Sequence, residues 1–444
     1  MKSHRLILLV LLAVASARWC DAAAPAEPSS PAAQRLTELE KRAPKGDADA
    51  AQFAPFHAEV IRLVESNTLA TGDEFFNASN LAELGWPDFR AMRTHYELLL
   101  AAVAKDGAEA EKYLPDAWDG LLGELGRAVR LDFNGWAKQN PDYREIDPAP
   151  KCIQAVLRDP AAARAAAKSA KDNSEMQTIV DADQAARQKD WGKLTKAELQ
   201  AVGDGDHQRN ARTREIVAAG GLHTADDFAN ASLVMQHSSR FAGYELAHEL
   251  AVCSLLLGDR ATGRWLVAAT YDRMLDSVGH DQRFGTQYMN DTLMRVDEEG
   301  ICDAERLALG CQSLMAQLGN TLVRQAESLL AAKKFTEAEP VARDGLARRA
   351  KGFPAGAWQI FSAQRALGAS LLGQRKFAEA ETVLLEAYAG LKKNEAAIPA
   401  DYKVRIRDAA DYLAQLYAER GPPAKAREWK QRVEEFDRAN PKRD

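Results

Sequence analysis

The chain has 444 residues, of which 46% are apolar and 27% charged, and its formal net charge is −6. This length exceeds what one hydrophobic core usually supports, so we expect two or three domains of ordinary globular composition rather than a disordered or fibrous protein. The sequence contains no basic block, which argues against nucleic acid as a partner.

The first residues have the pattern of a secretory signal peptide. Lys2 and Arg5 supply positive charge, the run Leu6–Ala17 is apolar, and Ala15-Ser16-Ala17 offers small residues for cleavage. As a helix this run spans about 18 Å, which is too short for a hydrocarbon core of about 30 Å, so an uncleaved membrane anchor is disfavoured.

A lipid anchor on Cys20 is also disfavoured, because Arg18 and Trp19 stand where small residues are needed. We therefore predict that residues 1–22 are removed and that the mature protein is exported, either periplasmic or secreted. No transmembrane span is expected in the mature chain, and peripheral association with a membrane stays open.

Residues 23–54 are rich in Ala, Pro, Glu and Ser, which predicts a linker with one loose helix. From residue 55 onward apolar residues recur at helical spacing and alternating β-branched runs are nearly absent, which predicts an all-α fold. The exception is 286–296, TQYMNDTLMRV, where Asn290-Asp291 favours the turn of a small β-hairpin.

Two segments share seven of eleven residues: LATGDEFFNAS (69–79) and LHTADDFANAS (222–232). In each segment a threonine, Thr71 or Thr224, precedes an acidic residue by three positions, which predicts a helix start with a capping box. Two interpretations stay open: the helical region 55–172 is a degenerate copy of the helical region 173–311, or the two helix starts are alike by chance.

Four cysteines follow the signal peptide: Cys152, Cys253, Cys302 and Cys311. Buried free thiols and a Cys302–Cys311 disulfide are the two states that the sequence leaves open. No CxxC or Cys/His ligand spacing is present, so we predict no structural zinc site and no cofactor.

Long polar side chains are concentrated in 173–311. They are Asp183, Gln184, Arg187, His237, His248, Asp272, Arg273, Gln282, Arg283, Thr286 and Gln287. The order DQxxR, QH, DR and QxFGTQ resembles a bacterial domain of unknown function. The resemblance is carried by Asp183, Gln184, Arg187, His237, Asp272, Arg273, Gln282, Gly285, Thr286 and Gln287. The resemblance implies a domain of about 140 residues with a set of characteristic positions, and it implies no activity.

Three interpretations of this polar set stay open. The first is an internal network in which these side chains bind backbone groups, and the second is a pocket for a polar or anionic ligand. The third is a metal centre built from His237, His248 and Asp272, although these residues lack the close spacing of metal ligands. In a pocket, the candidate catalytic residues are His237, His248, Asp272 and Arg273, with Asp272 orienting Arg273 or a histidine. The candidate ligand-binding residues are then Asp183, Gln184, Arg187, Gln282, Arg283, Thr286 and Gln287.

The last third of the chain repeats with a period of 42 residues. The copies are KKFTEAE (333–339), RKFAEAE (375–381) and, more weakly, PPAKA (422–426). Ala338, Ala380 and Ala426 occupy matching positions and allow two helices to approach closely. The region 320–438, within a predicted domain 312–444, resembles tetratricopeptide repeats of the longer type.

This resemblance implies an α-solenoid that binds a peptide or another protein. Trp358, Tyr388 and Tyr402 are the candidate contact residues, and packing between hairpins is their alternative role. The sequence thus favours an exported bacterial interaction protein, or a scaffold that assembles other envelope proteins. An enzyme or ligand-binding protein with a pocket in 173–311 is the alternative, although GxSxG, P-loop, GxGxxG and HExxH motifs are all missing from the sequence.

Overall fold

The computed structural model describes residues 30–45, 50–84, 89–135, 146–189, 193–289 and 292–440. The predicted signal peptide, the first part of the predicted linker and the Asn290-Asp291 turn lie outside these residues. The predicted all-α fold is confirmed, since the described residues form α-helices with a single two-stranded sheet among them.

The chain divides into two units, Met1–Gln287 with Arg295–Cys311, and Tyr288–Met294 with Gln312–Asp444. The described α-helices of the first unit are α1 (Pro31–Arg42), α2 (Ala50–Glu65), α3 (Gly72–Glu83), α4 (Phe89–Ala104), α5 (Leu114–Glu124), α6 (Lys151–Arg158), α7 (Pro160–Ala167), α8 (Ser174–Arg187), α9 (Lys196–Ala218), α10 (Ala225–Met235), α11 (Phe241–Leu257), α12 (Gly263–Asp276) and α13 (Asp303–Ala308).

Helices α3 and α10 begin with the predicted capping boxes. The Thr71 hydroxyl accepts a hydrogen bond from the Glu74 N–H at 3.2 Å, and the Glu74 carboxylate accepts one from the Thr71 N–H at 3.0 Å. Thr224 and Asp227 form the same pair of bonds at 3.2 and 3.3 Å. Each box satisfies amide groups that the first turn of a helix leaves without partners.

The long helices α4 and α11 lie at the centre of the first unit, and nearly all their residues are buried. Helix α11 is apolar on most of its surface, as in the stretch from Leu250 to Leu257, which is the pattern of a helix surrounded by protein. One hydrophobic cluster joins side chains from both predicted helical domains, 55–172 and 173–311. The two predicted helical domains therefore belong to one structural unit.

The sequence predicts a loose helix in the linker 23–54, but helix α1 in this region is packed against the first unit. Leu36 and Leu39 of this helix are buried in the hydrophobic cluster of the first unit, so the helix is packed rather than loose. Its sequence is amphipathic and begins after Ser30, whose hydroxyl accepts a hydrogen bond from the Ala33 N–H.

Among its described residues, the second unit contains the two strands of the predicted hairpin and six α-helices. Strands β1 (Tyr288–Met289) and β2 (Thr292–Leu293) pair antiparallel, with Tyr288 opposite Leu293. The helices are α14 (Leu314–Ala331), α15 (Phe335–Gly352), α16 (Trp358–Gly373), α17 (Phe377–Lys393), α18 (Val404–Arg420) and α19 (Pro423–Ala439).

These six helices form three consecutive hairpins. We call α14, α16 and α18 the inner helices, because each packs against the next, and α15, α17 and α19 the outer helices. Ala338 and Ala380 are fully buried and Ala426 is nearly so, as their repeat positions predict. A Cβ atom at Gly368 of α16 would lie 2.5 Å from the Leu384 side chain of α17. A small residue is therefore required where α16 and α17 cross.

None of the described helices has both the length and the apolar content needed to cross a membrane.

Candidate functional site

The loop 282–287 is held by the buried carboxylate of Asp272, near the end of α12. Asp272 Oδ1 accepts hydrogen bonds from the backbone N–H groups of Arg283 at 2.7 Å and Phe284 at 3.0 Å. Its Oδ2 accepts from the Thr286 N–H at 3.0 Å and from the Thr286 hydroxyl at 2.7 Å. Burial raises the pKa of Asp272 and these bonds oppose the rise. Both oxygens are engaged by the loop, instead of orienting Arg273 or a histidine.

The two glutamines of this loop bind each other. The Gln287 N–H donates to Gln282 Oε1 at 2.7 Å, and Gln282 Nε2 donates to the Gln287 carbonyl at 3.1 Å. The Gln287 amide also donates to the Ala269 carbonyl in α12 at 3.1 Å. Between them Gly285 has a φ of 75°, the left-handed region that glycine adopts without strain. Both glutamines thus fix the shape of the turn.

Arg283 forms a fully buried ion pair with Glu97 of α4. Its Nη2 lies 2.8 Å from Glu97 Oε2 and its Nε lies 2.9 Å from Oε1. Arg283 Nη1 donates to the Asp297 carbonyl at 2.7 Å. Burial lowers the pKa of Arg283, but Glu97 more than offsets it and raises that pKa above its usual value. The guanidinium therefore joins α4 to the loop and has no face open to a ligand.

His248 lies in the core among aromatic rings. Its Nε2 is 2.9 Å from the Tyr96 hydroxyl and its Nδ1 is 3.1 Å from Thr270 Oγ1. Burial lowers the pKa of His248 to about 3, so the imidazole is neutral at physiological pH. The Thr270 hydroxyl in turn donates to the Leu266 carbonyl at 2.7 Å. These contacts are those of a core histidine whose nitrogens are both satisfied.

His237 belongs to a separate, partly exposed group of charges. Its Nδ1 is 3.1 Å from Asp183, which also lies 3.3 Å from Arg187 and 3.4 Å from Arg209. Asp206 binds the same two arginines, at 2.7 and 2.5 Å. Burial would raise the pKa of Asp183, but His237 and the arginines lower it below its usual value. This network joins α8, α9 and the end of α10.

The remaining two predicted residues of this region are bound locally. Gln184 donates to the Asp183 carboxylate at 3.0 Å. Arg273 donates to the Gln236 carbonyl at 3.0 Å, and burial lowers its pKa. His237, His248 and Asp272 each have different partners, so the structure does not bring them together as one centre.

Sequence reasoning missed the buried glutamates that pair with distant arginines. Glu97 binds Arg283, while Glu249 binds Arg130 at 2.9 Å. Glu245 lies 3.6 Å from Arg130, and burial raises its pKa to about 7. A signal was present, because Glu97 and Glu245 are the central residues of two Tyr-Glu-Leu triplets, at 96–98 and 244–246, that follow the two similar segments. A repeated acidic residue on an apolar helix indicates a buried partner.

The four cysteines are free thiols, so the predicted alternative of a Cys302–Cys311 disulfide is not formed. Burial raises the pKa of the Cys302 thiol to about 12, which keeps it protonated and unreactive.

The candidate partner-binding residues of the second unit separate into two places. Trp358 and Tyr402 lie with ring centroids 5.6 Å apart, and the Arg405 guanidinium stacks 4.7 Å from the Tyr402 ring. Tyr388 instead packs edge-on against Trp429, between outer helices α17 and α19. Tyr388 and Trp358 both pack against a hydrophobic cluster that contains Leu391 and Ile406, whereas Tyr402 is exposed beside the inner helix α18.

Next to this aromatic pair, ion pairs link the three inner helices. Arg365 of α16 binds Glu327 of α14 and lies 3.5 Å from Asp408 of α18. Arg405 of α18 also binds Glu327, at 3.4 Å. One glutamate thus serves two arginines from different hairpins.

Two further arginines, Arg324 and Arg349, lie near Arg365 and Arg405. We call these four residues the arginine cluster. Arg349 reaches in from α15, and its Nη1 donates to the Gln359 carbonyl at 2.7 Å. The Arg324 guanidinium lies 5.0 Å from the ring of Tyr288 in strand β1. Burial, together with repulsion from the other three arginines, lowers the pKa of Arg349 to about 9.

Family models give no match to this chain, and none of the curated proteins is similar to it.

Proposed function

We propose that this chain is an interaction protein that binds a peptide or protein partner across the inner helices of its tetratricopeptide-like array. The observation that carries the proposal is the exposed pair of Tyr402 and Val404, with Trp358 and Arg405 packed beside Tyr402. Tyr402 and Val404 are 45% and 47% exposed. Tryptophan, tyrosine and arginine are the residues enriched at binding hot spots, and an array of stacked hairpins presents them on a broad, ordered face.

The alternative, an enzyme or ligand-binding protein with a pocket in 173–311, draws less support from the geometry. Asp272, Arg283 and Gln287 use their polar atoms on backbone or on buried partners. A catalytic or ligand-binding group needs a polar atom that faces the substrate. These contacts favour a network that fixes the first unit.

We also propose that the protein acts outside the cytoplasm of a bacterium, on the strength of the N-terminal charge, apolar run and small residues. Cell fractionation with mass spectrometry tests this proposal. The exported chain should lack about the first twenty residues, and Leu9→Arg should leave an uncleaved chain in the cytoplasm. A full-length chain in the exported fraction would contradict cleavage.

Affinity capture with the full chain tests the binding face. Proteins retained from an extract of the source cells are identified by mass spectrometry for wild type, Val404→Glu and Leu385→Glu. Both substitutions place a charge at an exposed apolar residue, but Leu385 lies on outer helix α17. We expect one set of proteins to be lost from Val404→Glu and kept by Leu385→Glu. Equal capture by all three chains would contradict the proposal.

A further inference from the structure

We propose that Arg273 and His237 form a binding site for the phosphate group of a small molecule. The site lies in the first unit, so this inference goes beyond the function proposed for the array. It uses residues other than Asp272, Arg283 and Gln287, whose polar atoms are engaged inside the protein.

Several contacts of the first unit occur twice, once in each of the regions 55–172 and 173–311. Asp119 and Arg130 are followed 153 positions later by Asp272 and Arg283, which is also the spacing of the two capping-box threonines. Asp119 accepts hydrogen bonds from three successive N–H groups that begin at Arg130. Asp272 binds its own loop in the same way, beginning at Arg283. The two regions thus share one way of holding a loop.

The two arginines also pair reciprocally across the unit. Arg283 binds Glu97 of the region 55–172, and Arg130 binds Glu249 of the region 173–311 at 2.9 Å. All four side chains are buried and each carboxylate faces a guanidinium. Contacts that recur in both regions and join them in this way serve the fold.

His237 and Arg273 belong to the region 173–311 only. The residues 153 positions before them are Leu84 and Gly120. An apolar residue and a glycine serve at these positions of the first region, so the shared fold does not require a histidine or an arginine there. Both side chains are nevertheless half-buried, and a half-buried polar group without a role in the fold indicates a binding site.

Arg273 is a half-buried cation without a carboxylate partner in the part of the chain that the structure describes. Its Nη1 donates to the carbonyl of Gln236, one residue before His237, and its buried Nε has no hydrogen-bond acceptor among the described residues. Burial lowers the pKa of Arg273 and repulsion from Arg187 lowers it further, although Asp276 opposes the shift. A buried cation without a counter-ion is costly, and a bound anion offsets that cost.

His237 presents a ring nitrogen to the same place. Its Nδ1 is 3.1 Å from the buried Asp183 carboxylate, whereas its Nε2 has no hydrogen-bond partner among the described residues. Because Nδ1 donates its proton to Asp183, Nε2 of the neutral ring is an acceptor. Arg187 binds the same carboxylate at 3.3 Å and also lies near Arg273, which places His237 and Arg273 at one site.

These two groups favour a phosphate over a carboxylate. Arg273 supplies donors for anionic oxygens, while Nε2 of neutral His237 needs a donor. A phosphate monoester has three terminal oxygens, and its second pKa of about 6 allows one of them to carry a proton near neutral pH. A carboxylate is ionised at that pH and cannot donate to Nε2. The nearby carboxylates of Asp183 and Asp206 are each bound to arginine, which limits their repulsion of the ligand.

The test is isothermal titration calorimetry of the full chain at pH 7, with inorganic phosphate and with acetate at equal ionic strength. The chains compared are wild type, Arg273→Gln, Arg273→Lys, His237→Gln and Arg212→Gln. Arg212 is the matched control, because it is an arginine of α9 in the same unit that is paired with Glu175 and Glu215.

We expect phosphate to bind wild type and acetate to bind about tenfold or more weakly. Arg273→Gln should weaken phosphate binding about tenfold or more, because charge-assisted hydrogen bonds are lost. Arg273→Lys should recover part of this loss, and His237→Gln should weaken binding severalfold. Arg212→Gln should bind as wild type does. If circular dichroism shows that Arg273→Gln is unfolded, His237→Gln decides the test.

No binding of phosphate to wild type, equal affinity for acetate, or equal losses in Arg273→Gln and Arg212→Gln would each overturn the inference. A lower melting temperature of Arg273→Gln with unchanged phosphate affinity would also overturn it, because Arg273 would then serve only the Gln236 carbonyl. Capture with Val404→Glu tests the array separately, so neither result decides the other.

Discussion

Asp272 accepts four hydrogen bonds from a loop of its own unit, and Arg283 pairs with a glutamate on a distant helix. The partners of these two residues explain why so many polar side chains lie between positions 272 and 287. A buried carboxylate or guanidinium is tolerated when all its polar atoms have hydrogen-bond or ion-pair partners, and this is true of both Asp272 and Arg283.

Asp272→Asn tests this assignment. An asparagine has one acceptor oxygen, and its NH₂ group would face donors of the loop. We expect a loss of about 2 kcal/mol or more in the free energy of unfolding, measured by urea denaturation. Asp281→Asn is the nearby control, because Asp281 pairs with the 85% exposed Arg295 and should cost less than about 1 kcal/mol. Equal effects would mean that the loop does not depend on Asp272.

A second residue, Glu305 of α13, makes stability depend on pH. Its Oε1 accepts a hydrogen bond from the Cys302 N–H at 3.0 Å, while Oε2 has no partner among the described residues. Burial, aided by repulsion from Glu97, raises the pKa of Glu305 to about 8. An unfolded glutamate has a pKa of about 4.3, so between these values the folded state binds more protons. The contribution of Glu305 to stability therefore falls as pH rises from about 5 to 8.

Glu305→Gln removes this ionisation. We expect its free energy of unfolding to be close to that of wild type near pH 5 and to exceed it near pH 8 by on the order of 3 kcal/mol. Chemical denaturation at the two pH values measures the difference. Parallel pH profiles for the two chains would show that Glu305 does not titrate in this range.

At the scale of elements, the sequence was most informative where the signal is local. The capping boxes of α3 and α10 were predicted because their residues lie three positions apart, and the six array helices were indicated by the KFxEAE repeats. The pairing of Glu97 with Arg283 joins residues 186 positions apart, and no local pattern reports such a contact. The arginine cluster was missed for a related reason, since each hairpin supplies only part of it.

Ala380 tests the helix crossing that the repeat predicts. Ala380→Leu adds three carbon atoms at a fully buried position of α17, and overpacking of this kind costs about 1–3 kcal/mol. Ala378→Leu adds the same atoms at an exposed position of the same helix and should change stability by less than about 0.5 kcal/mol. Thermal or urea unfolding measures both. Similar losses for the two variants would contradict close packing at residue 380.

At the scale of the whole molecule, the arginines of the two units have different surroundings. Arg130, Arg283 and their glutamates form closed pairs inside the first unit. The array of the second unit instead brings arginines from all three hairpins together beside Trp358 and Tyr402.

Site-specific photocrosslinking measures most directly whether this face binds a partner. A photoreactive phenylalanine analogue is placed at Tyr402, or at Leu385 on the outer helix α17, in the full chain expressed in its own cells. We predict a discrete crosslinked protein from position 402 and none from position 385. Crosslinks from position 385 alone, or none from either position, would contradict binding across the inner helices.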